Sequence, residues 1–202
     1  MSEERAAGAL AELINAVREI FAAEAARNSA AAPQLQRILE YMQELRPDPE
    51  APEPRELPGC RHLSHALDLG EASPAAAVAK ALRKLTPTLA WAQNPRYNVE
   101  NKGSEFMDNY GWSALGLVGN SNMAFGVLLL GPGVTYPRTS YESEGAFLVI
   151  GGSPEWISGD QPWRRVAAGD VICRPFGSAE GKRPGNEPML ALYAWMYTPT
   201  GA

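Results

Sequence analysis

Four groups of residues carry side chains able to do chemistry. Cys60-Arg-His62-Leu-Ser-His65 contains both histidines of the chain and has the composition of a metal cluster. A structural site needs four converging ligands, and no second cluster exists to complete this one, so the segment reads as a surface loop. Glu180 is a competent oxygen ligand, whereas Tyr141 binds a hard cation only as a phenolate. Glu142 and Glu144 are further oxygen donors, but a strand that turns 139, 141, 145 and 147 inward turns 142 and 144 outward. Asp170 reads as the turn residue of a Gly-Asp pair. Arg138 and Arg174 offer positive charge to a carboxylate, although arginines of this kind read first as surface charges. The five tryptophans read mostly as core or barrel lining. An aromatic face also holds a sulfonium or ammonium cation. The glycine turns at 131–133 and 151–152 are not phosphate loops, because no helix opening on Lys-Ser/Thr follows them.

The elements that must position these groups fall into two regions, 1–95 and 96–202. The first is helical. Leu10, Leu13, Ile14, Val17, Ile20 and Phe21 recur at helical spacing within 4–26. Pro33 opens a second helix over 33–46, with Leu35, Ile38, Leu39, Met42 and Leu45 as its apolar stripe. Five prolines among acidic residues make 47–58 an extended connector. A short apolar segment, Leu57 to Leu69, precedes a third helix over 74–85. After Pro95 the period becomes two. Strands are expected at 112–118, 124–130, 146–150, 155–158, 164–166, 170–174 and 189–197, with Gly/Pro turns between them. Such a series suggests a closed or double-sheet β architecture.

Composition removes several functions. The chain has 202 residues, 45% apolar and 20% charged, with a net charge of −5. No basic footprint points to nucleic acid. No run of 18 apolar residues points to a membrane span, and the acidic start is unlike a secretory signal, so a cytoplasmic location is expected. Cys60 and Cys173 form either one disulfide or, on the favoured reading, two free thiols.

Between Gly133 and Pro184 the glycines and prolines fall at fixed intervals: Gly133, Gly152, Gly169, Pro175 and Gly177. This spacing resembles the two cupin motifs, Gly-x5-His-x-His-x3-Glu-x6-Gly and Gly-x5-Pro-x-Gly-x2-His-x3-Asn. The expected fold is mainly β, a cupin (double-stranded β-helix, or jelly-roll) barrel with an N-terminal α-helical region. Gly131-Pro-Gly-Val-Thr-Tyr-Pro137, Glu155-Trp156, Pro162-Trp-Arg-Arg-Val166, Ala168-Gly-Asp-Val-Ile172 and Leu190-Ala-Leu-Tyr-Ala-Trp195 narrow the resemblance to the bacterial dimethylsulfoniopropionate (DMSP) lyases.

That resemblance implies a divalent metal (zinc, manganese or iron) in the barrel and a tyrosine base. The reaction would be β-elimination of DMSP to dimethyl sulfide and acrylate. It also implies a small carboxylate or zwitterion as ligand, and a homodimer. The ligand positions have changed, however. Thr139 and Tyr141 replace the two histidines, Gly145 the glutamate and Glu180 the late histidine, leaving Glu180 and Tyr141 as reduced metal ligands. Phe147 stands where a further tyrosine is expected. Tyr136 remains as candidate base, with Trp195, Phe147 and Tyr141 as pocket residues. The expectation is a weakly active or inactive lyase, or alternatively a metal-independent small-molecule-binding cupin.

Overall fold

The computed structural model describes residues 3–118 and 123–197. Six helices come first: α1 (Glu3–Arg27), α2 (Ala32–Tyr41), α3 (Leu63–Glu71), α4 (Ala76–Leu85), α5 (Val99–Lys102) and α6 (Ser104–Met107). Eleven strands follow or intervene: β1 (Arg46–Pro47), β2 (Tyr110–Ser113), β3 (Leu117–Val118), β4 (Met123–Leu130), β5 (Tyr136–Ser140), β6 (Ser143–Gly151), β7 (Glu155–Ser158), β8 (Arg164–Arg165), β9 (Val171–Arg174), β10 (Ala179–Arg183) and β11 (Met189–Tyr197). They form one antiparallel sheet of order β2-β4-β11-β6-β9, a second of order β5-β10-β7-β8, and the small pair β1-β3.

The five-stranded sheet is buried on both faces, which is why β4, β6 and β11 read as nearly unbroken apolar runs. Phe125, Val127 and Leu129 of β4, Ala146, Leu148 and Ile150 of β6, and Leu190, Leu192 and Ala194 of β11 share one cluster with the helices. The alternate residues Leu128, Phe147, Val149, Ala191 and Tyr193 turn to the barrel interior, where they meet Tyr136 and Trp156 of the other sheet. In α1, Leu13, Val17 and Phe21 are fully buried at helical spacing. Gln34 at the start of α2 reaches through this layer. Its Nε2 donates to the carbonyls of Gly145 (2.8 Å) and Arg174 (3.0 Å), tying α2 to the edge of the barrel.

Two glycines set the distance between α3 and the sheet. A methyl group on Gly151 would lie 2.0 Å from the Ala66 carbonyl oxygen, and one on Gly70 would lie 2.7 Å from that of Ile150. Both obstacles are backbone, so neither side can yield by changing a rotamer. Gly151→Ala is therefore expected to lower the unfolding free energy by about 3 kcal/mol, the upper range for overpacking a filled core. Urea denaturation measures it. An equal change for Ala at Gly8, where nothing lies within 4 Å, would contradict this account.

Several expectations from the sequence are corrected. The segment around Cys60 is not a loop: 58–62 is a 3₁₀ turn that runs into α3. The second helix ends at Tyr41 and continues only as a 3₁₀ turn to Glu44. The stretch 112–118 is two strands in different sheets, β2 and β3, because Leu115 and Gly116 take positive φ values of 62° and 63° and break the run. Helices α5 and α6 occupy 99–107, where no element was expected. Asn98 and Asn101 cap α5 reciprocally, each side chain accepting from the other's backbone N–H at 2.9–3.0 Å. Cys60 and Cys173 are both free thiols, the favoured of the two readings of the sequence. No helix among the described residues is long and apolar enough to cross a membrane.

Candidate functional site

The barrel interior opens into a cavity of about 280 Å³. Trp112, Ala124, Leu128, Tyr193, Trp195 and Tyr197 of the five-stranded sheet line one side. Tyr136, Tyr141 and Lys182 line the other, and Tyr110, Asn94 and Pro95 complete the lining. Trp195 packs on Tyr193 at 4.8 Å and on Tyr141 at 5.4 Å between ring centroids. Of the residues expected at the pocket, Tyr136, Tyr141 and Trp195 reach it. Phe147 lies behind the wall, fully buried against Trp156 at 5.0 Å.

Three tyrosine hydroxyls form a chain. Tyr136 Oη is 3.0 Å from that of Tyr141 and 3.3 Å from that of Tyr97. Burial, with the neighbouring phenols Tyr110 and Tyr141 adding to it, pushes the Tyr136 hydroxyl far above its ordinary range. Burial likewise pushes Tyr141 up to about 12. Both hydroxyls hold their protons at neutral pH and act there as hydrogen-bond donors. Tyr136 works as a base only if the charge of its phenolate is stabilised by something further.

Below the tyrosines lies a buried charge cluster. Arg174 and Glu180 are fully buried and Lys182 is 1% exposed. Lys182 Nζ stands 2.9 Å from Glu180 Oε1, and Arg174 Nε stands 3.8 Å from the same oxygen. Three ring faces surround the ammonium: Phe147 at 4.3 Å, Trp156 at 4.7 Å and Tyr136 at 5.0 Å. Arg174 also donates to the Ser143 carbonyl (2.6 Å) and the Ser143 hydroxyl (2.7 Å), and its guanidinium lies over the Tyr141 ring. Burial lowers the pKa of both cations, and the charge of Glu180 opposes that shift in each.

The residues at the motif ligand positions do not fit a divalent metal. Thr139 donates its hydroxyl to the Pro137 carbonyl at 3.1 Å. Tyr141 is committed to Tyr136. Gly145 has no donor, and a methyl group there would meet Trp195 Cδ1 at 2.6 Å, so the indole fills the space of the absent side chain. Glu180 already neutralises a cation on its own strand, and a dication beside Lys182 would face direct repulsion. Glu144 points outward into a bidentate pair with Arg37 at 2.7–2.8 Å. Asp170 accepts from the Ala167 N–H as a turn residue. His62 bonds Asn109, and His65 is exposed. Among the described residues, no three His, Cys, Asp or Glu side chains are placed to share an ion.

A second expectation follows from this packing. A variant carrying Thr139→His, Tyr141→His, Gly145→Glu and Glu180→His together should fail to bind zinc tightly. Its unfolding free energy should drop by about 1–3 kcal/mol from the collision with Trp195. Adding Trp195→Ala and Lys182→Met should be needed before zinc raises the melting temperature. Tight zinc binding by the fourfold variant would show that Trp195 and Lys182 are no obstacle.

Sequence reasoning missed two members of the cluster. Arg174 was read as a surface charge, yet it is buried, with two of its donors on Ser143 and the Glu180 carboxylate 3.8 Å from its Nε. Arg138 is the surface arginine of the two, bonding the Gly159 carbonyl at 2.7 Å. Lys182 was not singled out. Its signal was the spacing Glu180-x-Lys182, which puts both charges on one face of a strand.

Two antiparallel sheets closed over an aromatic, charge-bearing interior define this chain as a cupin barrel with a helical cover. The chain belongs to the dimethylsulfoniopropionate lyase family, whose model matches residues 27–191. It is similar to dimethylsulfoniopropionate lyase DddQ of Ruegeria pomeroyi, at 26% identity over 49% of this chain and 51% of that protein. It is also similar to the putative lyase DddL of Cereibacter sphaeroides, at 26% identity over 70% of this chain and 60% of that one. The chain thus spans between half and three fifths of the length of these curated relatives. The fold matches a crystal structure of the DMSP lyases RdDddP and RnDddQII with a TM-score of 0.74, at 20% identity, covering 98% of this chain and 96% of that one. It matches the crystal structure of DddQ from Ruegeria pomeroyi with a TM-score of 0.66, at 23% identity, covering 100% and 95%.

Proposed function

We propose that this chain is a metal-independent member of the family. It binds a small carboxylate or zwitterionic acid of the DMSP kind in the cavity beside Trp195, and turns it over slowly or not at all. The observation that carries this reading is the occupation of the ligand positions. Thr139, Tyr141, Gly145 and Glu180 are each engaged by a neighbour or filled by one. The cavity itself is suited to a small organic cation, with a wall of Trp112, Tyr193 and Trp195.

Elimination from such a ligand removes a proton beside a carboxylate and piles charge onto an existing anion. A bound metal supplies several kcal/mol to that step, and without it the rate falls by orders of magnitude. Tyr136, held protonated by its burial, is poorly placed to compensate. The test measures DMSP binding by calorimetry, with and without a chelator, alongside release of dimethyl sulfide. Binding that ignores the chelator, with release far below ~1 per second, is the expected result. Fast release that the chelator abolishes would overturn the proposal and restore the metal-dependent lyase.

A further inference from the structure

The charges inside the barrel do not cancel. Arg174 and Lys182 are two cations and Glu180 is one anion, all buried within one cluster. With Lys182 protonated, one positive charge is left over in a low-dielectric interior, where it attracts an anion far more strongly than at the surface. Of the two cations, only Lys182 lines the cavity. Arg174 is turned away, spending its donors on Ser143. The ammonium has three protons, and among the described residues Glu180 is the one oxygen partner that the structure gives it. The hydroxyls of Tyr136 and Tyr141 line the same cavity and keep their protons.

From this arrangement we infer that Lys182 is a fixed cationic anchor for the carboxylate of a cavity ligand. One carboxylate oxygen docks on Nζ, and the other accepts from a tyrosine hydroxyl. The inference rests on the binding reading above and adds the residue that recognises the acid end. Glu180 and Arg174 are positioning residues: Glu180 holds the ammonium in place, and Arg174 offsets the charge of Glu180.

Two half-ligands separate the inference from the reading beneath it. Propionate carries the acid end alone, and tetramethylammonium the cationic end alone. Each is titrated into the full chain, in chelator, and followed by calorimetry or NMR. Lys182→Met is the main variant, because it leaves Arg174 and Glu180 as a balanced pair. It should weaken propionate on the order of 10- to 100-fold, the size of one lost charge-assisted hydrogen bond. Tetramethylammonium binding should not change. Lys182→Arg should keep most of the propionate affinity. In the wild-type chain, propionate should also shift the Lys182 ε-methylene resonance, a readout independent of how the variants fold.

Propionate binding unaltered in Lys182→Met, or an unmoved Lys182 resonance on saturation, overturns the anchor. Binding of tetramethylammonium without propionate overturns the anchor and leaves the cavity reading standing. Binding of neither probe removes both.

Discussion

Glu180→Gln lowers the unfolding free energy by about 3–5 kcal/mol at neutral pH, the cost of removing one member of a buried ion cluster. The glutamine keeps the size of the side chain, so the loss is one of charge. What remains is Lys182 and Arg174, two cations with no anion between them, both buried. Lys182 has the easier escape. Burial already lowers its pKa, and Glu180 is the group that resists that shift, so without Glu180 the ammonium gives up its proton more readily. A lysine whose folded pKa lies below its unfolded one binds fewer protons folded than unfolded. Stability therefore rises with pH through that window, which closes near the unfolded lysine value of about 10.4. The deficit of the variant should accordingly shrink as pH rises from 7 toward 9. The double variant Glu180→Gln, Lys182→Met should recover most of the loss at pH 7, because Arg174 retains its bonds to Ser143. Urea denaturation of the four proteins at pH 7 and pH 9 makes a double-mutant cycle. Additive losses, or a deficit that does not change with pH, would mean that the cluster is not electrostatically coupled.

Alkali should unfold the wild-type protein through its tyrosines. Tyr110, Tyr136 and Tyr193 are at most 6% exposed, and burial is the first cause that pushes each hydroxyl well above its ordinary value. In the unfolded chain they titrate near pH 10. Above that pH the unfolded state loses protons that the folded state keeps, so stability falls as pH rises. Each of the three contributes a loss of about 1.4 kcal/mol at pH 11, or about 4 kcal/mol together. The gain from Lys182 runs the other way but is complete by then, since it ends near the unfolded lysine pKa. Absorbance at 295 nm should show these phenols ionising with the unfolding transition. Phenolate signal from all seven tyrosines near pH 10, with the fold intact by circular dichroism, would contradict the burial.

The barrel was legible from its punctuation. Gly133, Gly152, Gly169 and Gly177 all take positive φ, between 70° and 101°, so the chemistry of the turns required glycine wherever the spacing was read. The apolar strands β4, β6, β9 and β11 announced themselves by composition. Strands β5 and β10 did not, and the reason is physical. In β10 the buried residues Glu180 and Lys182 are charged, and in β5 only Tyr136 is buried, so neither strand shows the usual pattern of apolar inside and polar outside. The site was thus half legible. The vacated ligand positions could be named one by one, but the replacing charges could not, because burial of Arg174 depends on Ser143, 31 residues away. Helix α3 was read as an apolar segment with no element type assigned, although its buried residues Leu63, Ala66, Leu67 and Gly70 recur at helical spacing.

The pairing of Lys182 with Glu180 has a consequence for supply. Both charges lie on one five-residue strand, two positions apart. They are made together at every round of translation, in a ratio of one to one. A barrel that borrows its cation from the medium draws stability from it as RT ln(1 + [L]/Kd), about 2.7 kcal/mol at a hundredfold excess over Kd, and loses that support when the ion becomes scarce. A cation covalently attached to the chain has no such dependence. It cannot be diluted, chelated or exchanged for a competing ion, and the one variable in the surroundings to which it answers is the proton.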